Sequence, residues 1–410
     1  MGDNMKNIYL CGPTVYNHVH IGNVRPILTM DIYIRALKSK NEEINFVHNI
    51  TDIDDKIVEK ALEEKKTVKE VSDFYTEKYL SVLKDFNIDL PNSMPRVLDH
   101  LQGIKEFIKR IIDTKAAYTT ASGDVLFSVK EFKSYGSVSN RDVDKLIIND
   151  IENKKYGGDF SLWKNTSIGE NFSSEWSKGR PGWHTECSYF IEHYFKQQID
   201  LHGGGVDLKF PHHENENAQY MALHNVPITK KWIHFGHLEV NDEKMSKSLG
   251  NSWYAKDFIE EYDADILRYI YLKSNPKSPF SINEKIINES SSKVKTMKKI
   301  FFKLYVELLN EKNKSFKPCD IVVENILEWK FSDALKQLNA LIKLYHNEEL
   351  TFSDKFILFN TFKVLGFKFS SVDPLKEDVQ NYKEWKILSE DGRYKESDLF
   401  RDQLIKKGYL

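Results

Sequence analysis

The rhythm at the start of this 410-residue chain restricts its fold more than any other feature. "NIYLCG" is a short apolar run ended by Gly12 and Pro13, which reads as a strand entering a turn, and the pattern from about 22 to 37 is helical. "EINFVHNITDID" gives a second strand, followed by a helix from about 54 to 65. Two strands joined through a helix run parallel, so the chain is expected in the α/β class, built on a parallel sheet.

From about 67 to 110 the periodicity is helical, and "YTTASGDVLFSV" reads as a hairpin, so 67–150 is expected to be an insertion. The sheet is expected to resume near "DFSLWK". A helix from about 185 to 195, a strand at "QIDLH", a glycine turn at Gly203, Gly204 and Gly205, and a helix from about 212 to 224 follow. "WIHFGHLEV" reads as one more strand. From about 283 onward apolar residues recur at three and four spacing with almost no strand signal, which predicts a helical bundle.

Hydrophobic residues at 40% and charged residues at 29% are those of a folded chain. The formal charge of -2 excludes a polycation, so any nucleic-acid contact must use a local basic surface. Three cysteines, Cys11, Cys187 and Cys319, cannot build a disulfide framework and point to a reducing compartment with thiols free for metal or catalysis. Without a signal-peptide core or a run of about 20 apolar residues, a cytoplasmic protein with no membrane partner is expected.

Two short runs carry chemistry. "HIGN", 20–23, lies between a strand and a helix, where unpaired backbone N–H groups meet anions and Gly22 lets a phosphate or purine approach. His20 can donate to phosphate oxygens there, although a bare strand-to-helix turn also accounts for four residues. "EKMSKSLGN", 243–251, offers Lys244 and Lys247 on a loop that can neutralise a cleaving polyphosphate, with an ordinary solvated loop as the alternative. Found together in this order, the two runs are a specific signal.

With "CGPTVYNHVHIGN", "NITDIDDK", "RPGWHTECS" and "HGGGVDLKFPHHENE" added, the chain from about 7 to 251 resembles the class I aminoacyl-tRNA synthetases, and within them the cysteinyl branch. The C-terminal third resembles that family in its helical character and in "SDLFRDQLIKKG". The resemblance implies a Rossmann-like catalytic domain over 1–66 and 151–235, an inserted connective subdomain over 67–150, a linking segment with the lysine loop over 236–282, and a tRNA-binding bundle on the anticodon side over 283–410. The bundle is expected to be short at its C-terminus, because the family's usual tail does not follow "KKGYL".

The same resemblance implies the site. Cys11, Cys187, His212 and Glu216 match the family's zinc ligands. Read alone, His212 and Glu216 are four apart on one helix face and the set has donors zinc accepts, but core cysteines and a surface His and Glu fit equally well. A pocket without metal separates near-isosteres by only about 10- to 200-fold, whereas zinc reads a thiol against a hydroxyl directly. His20, Gly22 and Asn23 match the first signature over ATP, with asparagine where the family has its final histidine. Gly203, Gly204 and Asp207 match the adenosine-facing segment, and Lys244 and Lys247 the loop, Lys247 on the phosphates. His20, Asn23, Lys244 and Lys247 form the implied catalytic set, and Thr51, Trp183 and His202 match positions near the amino acid. The expected reaction joins L-cysteine to AMP from ATP with Mg2+, then to the 3′-terminal adenosine of tRNA(Cys), in a monomer. The basic helical stretch 293–309 suits tRNA phosphates or a solvated face. A paralogous ligase with an amino-sugar acceptor and a silent nucleotide-binding paralogue are the rival readings.

Overall fold

The computed structural model describes residues 5–142, 154–240, 253–309 and 317–410, and the backbone of 243–244. The chain forms two compact units: Met1–Val19, Glu43–Val82 and Leu90–His237 make the first, and His20–Glu42, Leu83–Asp89 and Leu238–Leu410 the second.

The first unit is built on a four-stranded parallel sheet in the order Glu43–His48, Met5–Leu10, Leu201–Gly205, Trp232–Phe235. Ile8, Tyr9 and Leu10 are buried in succession, as a central parallel strand covered on both faces requires. Leu10 stands opposite His48 on one side and Gly203 on the other, so Cys11, Asn49 and the glycine run emerge together at the carboxyl ends of the strands. Ligands bind at that edge in open α/β sheets.

Three expectations are corrected here. The strand at "DFSLWK", Phe160–Asn165, does not rejoin the parallel sheet; it lies in a five-stranded antiparallel sheet between the hairpin strand Val125–Phe127 and Lys178–Pro181. A short apolar run encodes burial, not its partner. Gly203, Gly204 and Gly205 are not a turn but the end of the strand Leu201–Gly205, because the backbone there is approached closely: a Cβ on Gly204 would lie 2.7 Å from the His213 ring. "WIHFGHLEV" is two strands, Trp232–Phe235 in the parallel sheet and Leu238–Val240 in another.

Helices Leu101–Asp113, Trp183–Phe195 and Glu214–His224 pack on one another. The first buries Ile104, Phe107, Ile108 and Ile111, one apolar face at helical spacing. The last is unusual, since Glu214, Asn215, Glu216, Asn217 and Gln219 are all buried along it. Buried polar groups need partners. Glu214 accepts backbone N–H groups from Gly136, Val138 and Ser139 at 2.7–3.0 Å, and Asn217 accepts from Ile228 at 3.0 Å.

In the second unit helix Ile21–Ser39 begins directly after His20. Leu238–Val240 pairs antiparallel with Glu243–Lys244 and parallel with Phe280–Ile282. Helices then follow from Ala264–Lys273 and Glu284–Glu307 through to Tyr394–Lys406, as the periodicity predicts. Arg268 is a central tie in this unit. Its guanidinium pairs with buried Asp31 at 2.7 Å and donates to the carbonyls of Phe86, Asn87 and Leu365. Among the described residues no helix is long and apolar enough to cross a membrane.

Candidate metal centre

Cys11 is placed by its neighbours on both sides. Its N–H donates to the Gly203 carbonyl at 3.1 Å, and the next N–H, of Gly12, donates to Asn49 Oδ1 at 2.8 Å. Only glycine fits at position 12, because a Cβ would fall 1.5 Å from the Asn49 carbonyl oxygen. Cys187 lies buried in helix Trp183–Phe195. His212 lies in the widened turn Lys209–His213 that leads into helix Glu214–His224, and Glu216 follows one turn later. Ligand atoms of Cys11, Cys187, His212 and Glu216 all lie within 4.8 Å of one another. The four residues matched by resemblance are therefore brought together.

A second grouping, Cys11, His202, His213 and Glu216, overlaps the first. His202 is already engaged, its Nε2 lying 2.5 Å from Glu216 Oε2, and His213 Nδ1 is 2.9 Å from His234 Nε2. The first set has the greater sulfur content. Its His212 presents Nε2 to Glu216 Oε1 at 2.8 Å while Nδ1 meets His184 Nδ1 at 2.9 Å, so the outer nitrogen is held and the inner one aimed.

The electrostatics fit a dication. Burial opposes a charged His212 ring, yet the Glu216 carboxylate and the Cys187 sulfur overcome it and raise the imidazole to about 10. Burial likewise works against ionised Glu216, but His202 and His212 hold it well below the usual carboxylate range. Cys187 resists its own burial through a hydrogen bond from Cys11 and one from His212, and comes down to about 6. Cys11 goes the other way: burial, then Cys187 and Glu216, push its thiol well above the ordinary value. Only one of the two sulfurs ionises while positive charge is short. A bound dication supplies that charge, and two thiolates, an imidazole and a carboxylate are a donor set for zinc.

The other expected residues fall as follows. Trp183 is 42% exposed, its ring 4.3 Å from that of His212, and it lines a cavity of about 170 Å³ with Arg180, His184 and Glu186. Thr51 is buried, donating to Glu186 Oε1 at 2.6 Å and accepting from Asn49 Nδ2 at 3.2 Å. His202 is buried against Trp232 and bonds Glu216. Gly203 and Gly204 are buried in their strand, and Asp207 is exposed in the turn after it.

In the second unit His20 caps helix Ile21–Ser39. Its Nδ1 accepts the Asn23 N–H, and Asn23 Oδ1 accepts the His20 N–H, both at 3.3 Å. With Nδ1 an acceptor, the neutral ring carries its proton on Nε2. Gly22 leaves room for that ring, which would stand 3.0 Å from a Cβ there. The Ile21 N–H donates to the Trp253 carbonyl at 2.9 Å, and His20 forms a bridge with Tyr254. Lys244 lies in the short strand Glu243–Lys244, and Lys247 lies outside the described residues.

Sequence reasoning missed His184, His213, His234, Asn49 and Glu186. For His213 alone the run "FPHHENEN" was an available signal, since a helix start crowded with polar residues has no use for them unless they are paired inside.

The family model described as tRNA synthetases class I (C) catalytic domain matches residues 1–292. A cysteine–tRNA ligase of Mesoplasma florum is 40% identical over 98% of this chain and 96% of its own length. One of Malacoplasma penetrans is 39% identical over 99% and 96%. Among solved structures, the LeuRS of Agrobacterium radiobacter K84 in a ternary complex with tRNA and LeuAMS shares the fold at TM-score 0.67 and 9% identity, covering 91% of this chain and 86% of that one. Methionyl-tRNA synthetase of Mycobacterium tuberculosis with methionyl-adenylate does so at 0.61 and 12%, covering 90% of each chain. The chain thus belongs to the cysteine–tRNA ligase family of class I tRNA synthetases.

Proposed function

We propose that this chain activates L-cysteine with ATP and transfers it to tRNA(Cys), and that Cys11, Cys187, His212 and Glu216 hold a zinc ion for the substrate thiol. The observation that carries the reading is the convergence of those four donors from three separate stretches of sequence. Bound zinc supplies a sulfur-preferring open coordination position and lowers the pKa of a thiol that enters it. His202 and His184 fix the orientation of Glu216 and His212. Trp183 closes one side of the ligand His212 and offers an apolar face to the small amino acid.

For the first step the substrate carboxylate attacks the α-phosphorus of ATP and pyrophosphate leaves, which needs positioning and charge neutralisation more than acid–base chemistry. By family resemblance, His20 with its Nε2 proton, Gly22 and Asn23 meet the nucleotide, and so do Gly203, Gly204 and Asp207. Lys244, Lys247 and a Mg2+ ion neutralise the phosphates. For the second step we assign tRNA to the helical segment 283–410, within the domain scheme expected from the sequence. A groove of about 640 Å³ supports this, being lined by Lys295, Lys298 and Lys299 of helix Glu284–Glu307 and by Lys406 and Lys407. Clustered lysines bind phosphate backbones without reading bases. A cytoplasmic monomer is the matching working state.

Cysteine-dependent exchange of pyrophosphate into ATP, followed by charging of purified tRNA(Cys), tests the reading. Exchange is expected with cysteine and not with serine, and is expected to disappear in Cys187→Ser or after a strong chelator while circular dichroism is retained. A fully active metal-free protein refutes the zinc assignment, and exchange without tRNA charging refutes the acceptor.

A further inference from the structure

We infer that Asn49 is a positioning residue that fixes the separation of the two metal-binding sulfurs. The inference rests on the zinc reading above. Asn49 is wholly buried at the end of strand Glu43–His48, and its Oδ1 accepts the Gly12 N–H at 2.8 Å and the Tyr9 hydroxyl at 2.9 Å. Cys187 Sγ lies 3.8 Å from the same oxygen. One amide oxygen therefore touches the peptide that carries Cys11 and the side chain of Cys187, two residues far apart in sequence.

The amide is held in one orientation. Its Nδ2 donates to Thr51 Oγ1, which donates to Glu186, the residue before Cys187. Turned over, the side chain would put an NH2 group against the Gly12 N–H and the Tyr9 hydroxyl and leave both donors without their acceptor. Cys11 has its own N–H tied to Gly203, so the Asn49 contact is the second point that defines the direction of its Cα–Cβ bond. Asn49 thus stands outside the four-donor set and acts through the two sulfurs.

The test uses the full chain loaded with zinc or with Co2+, whose absorption reports the number of thiolates bound. Asn49→Ala is expected to weaken zinc binding, read by chelator competition, about 10- to 100-fold. It is also expected to lower the thiolate-to-cobalt band and to raise KM for cysteine while KM for ATP stays. If the alanine chain does not fold, Asn49→Ser, whose hydroxyl is too short to reach Gly12, replaces it. An unchanged zinc affinity and cobalt band in the folded Ala or Ser variant overturns the inference. A wild-type chain that binds neither metal overturns instead the zinc reading beneath it.

Discussion

His202 Nε2 lies 2.5 Å from Oε2 of Glu216, and both side chains are fully shielded from solvent. The other carboxylate oxygen faces His212 and Cys11, at 2.8 and 3.5 Å. One carboxylate therefore has a held side and a working side. His202, matched by resemblance to the amino-acid pocket, has its contact here with a member of the four-donor cluster.

His202→Ala is expected to leave a buried carboxylate without its holder and to lower zinc affinity about 10- to 100-fold, measured by competition with a calibrated chelator. His202→Gln, whose amide can still donate, is expected to recover part of the loss.

Asn23→Ala removes one half of the reciprocal cap between residues 20 and 23. The expected loss is about 1 kcal/mol of stability in urea unfolding. Asn23→Asp preserves the acceptor for His20 N–H and is expected to keep stability, but it sets a negative charge beside the segment assigned to ATP. Slower pyrophosphate exchange with unchanged stability is the expected signature.

His48 gives the pH prediction. Burial lowers its pKa from 6.5 to about 4, opposed weakly by the Leu10 carbonyl; Nδ1 lies 2.9 Å from that oxygen and Nε2 2.7 Å from the Tyr79 hydroxyl. A group depressed in the folded state adds stability that is full above its unfolded value and vanishes as pH falls through the folded value. The window is therefore 6.5 down to about 4, and the contribution is about 3 kcal/mol at 1.36 kcal/mol per pKa unit. His48→Phe is expected to be less stable at pH 7.5 but to lose less on acidification across that window, read from urea midpoints.

Arg268→Met is expected to destabilise by about 3–5 kcal/mol, since Asp31 loses a buried partner and three carbonyls lose a donor. Arg35, at 3.0 Å from both Asp31 oxygens, keeps the loss toward the lower end. Arg268→Lys is expected to recover only a fraction, because an ammonium cannot span the same fork of acceptors.

The start of the sheet was legible because strands buried on both faces spell themselves as unbroken apolar runs, as Ile8 to Leu10 do. The helical C-terminal part was legible from its three and four spacing. Gly203 to Gly205 were not, since three glycines read as a turn until the His213 ring that crowds Gly204 is known. "DFSLWK" was misplaced because its apolar content says that it is covered and leaves open by which sheet. The four metal donors needed the family resemblance, as no spacing rule links Cys11 to Cys187. The residues that hold those donors, Asn49, His184 and His202, have no local signature at all: each is defined by what stands across from it in the folded chain.

The Trp253 carbonyl, which accepts the Ile21 N–H, gives the HIGN turn a tether more than two hundred residues downstream. A hydrogen bond of this kind makes the entry to helix Ile21–Ser39 and the backbone at residue 253 a single mechanical joint. A displacement of the Trp253 peptide would be felt at His20 through this one bond.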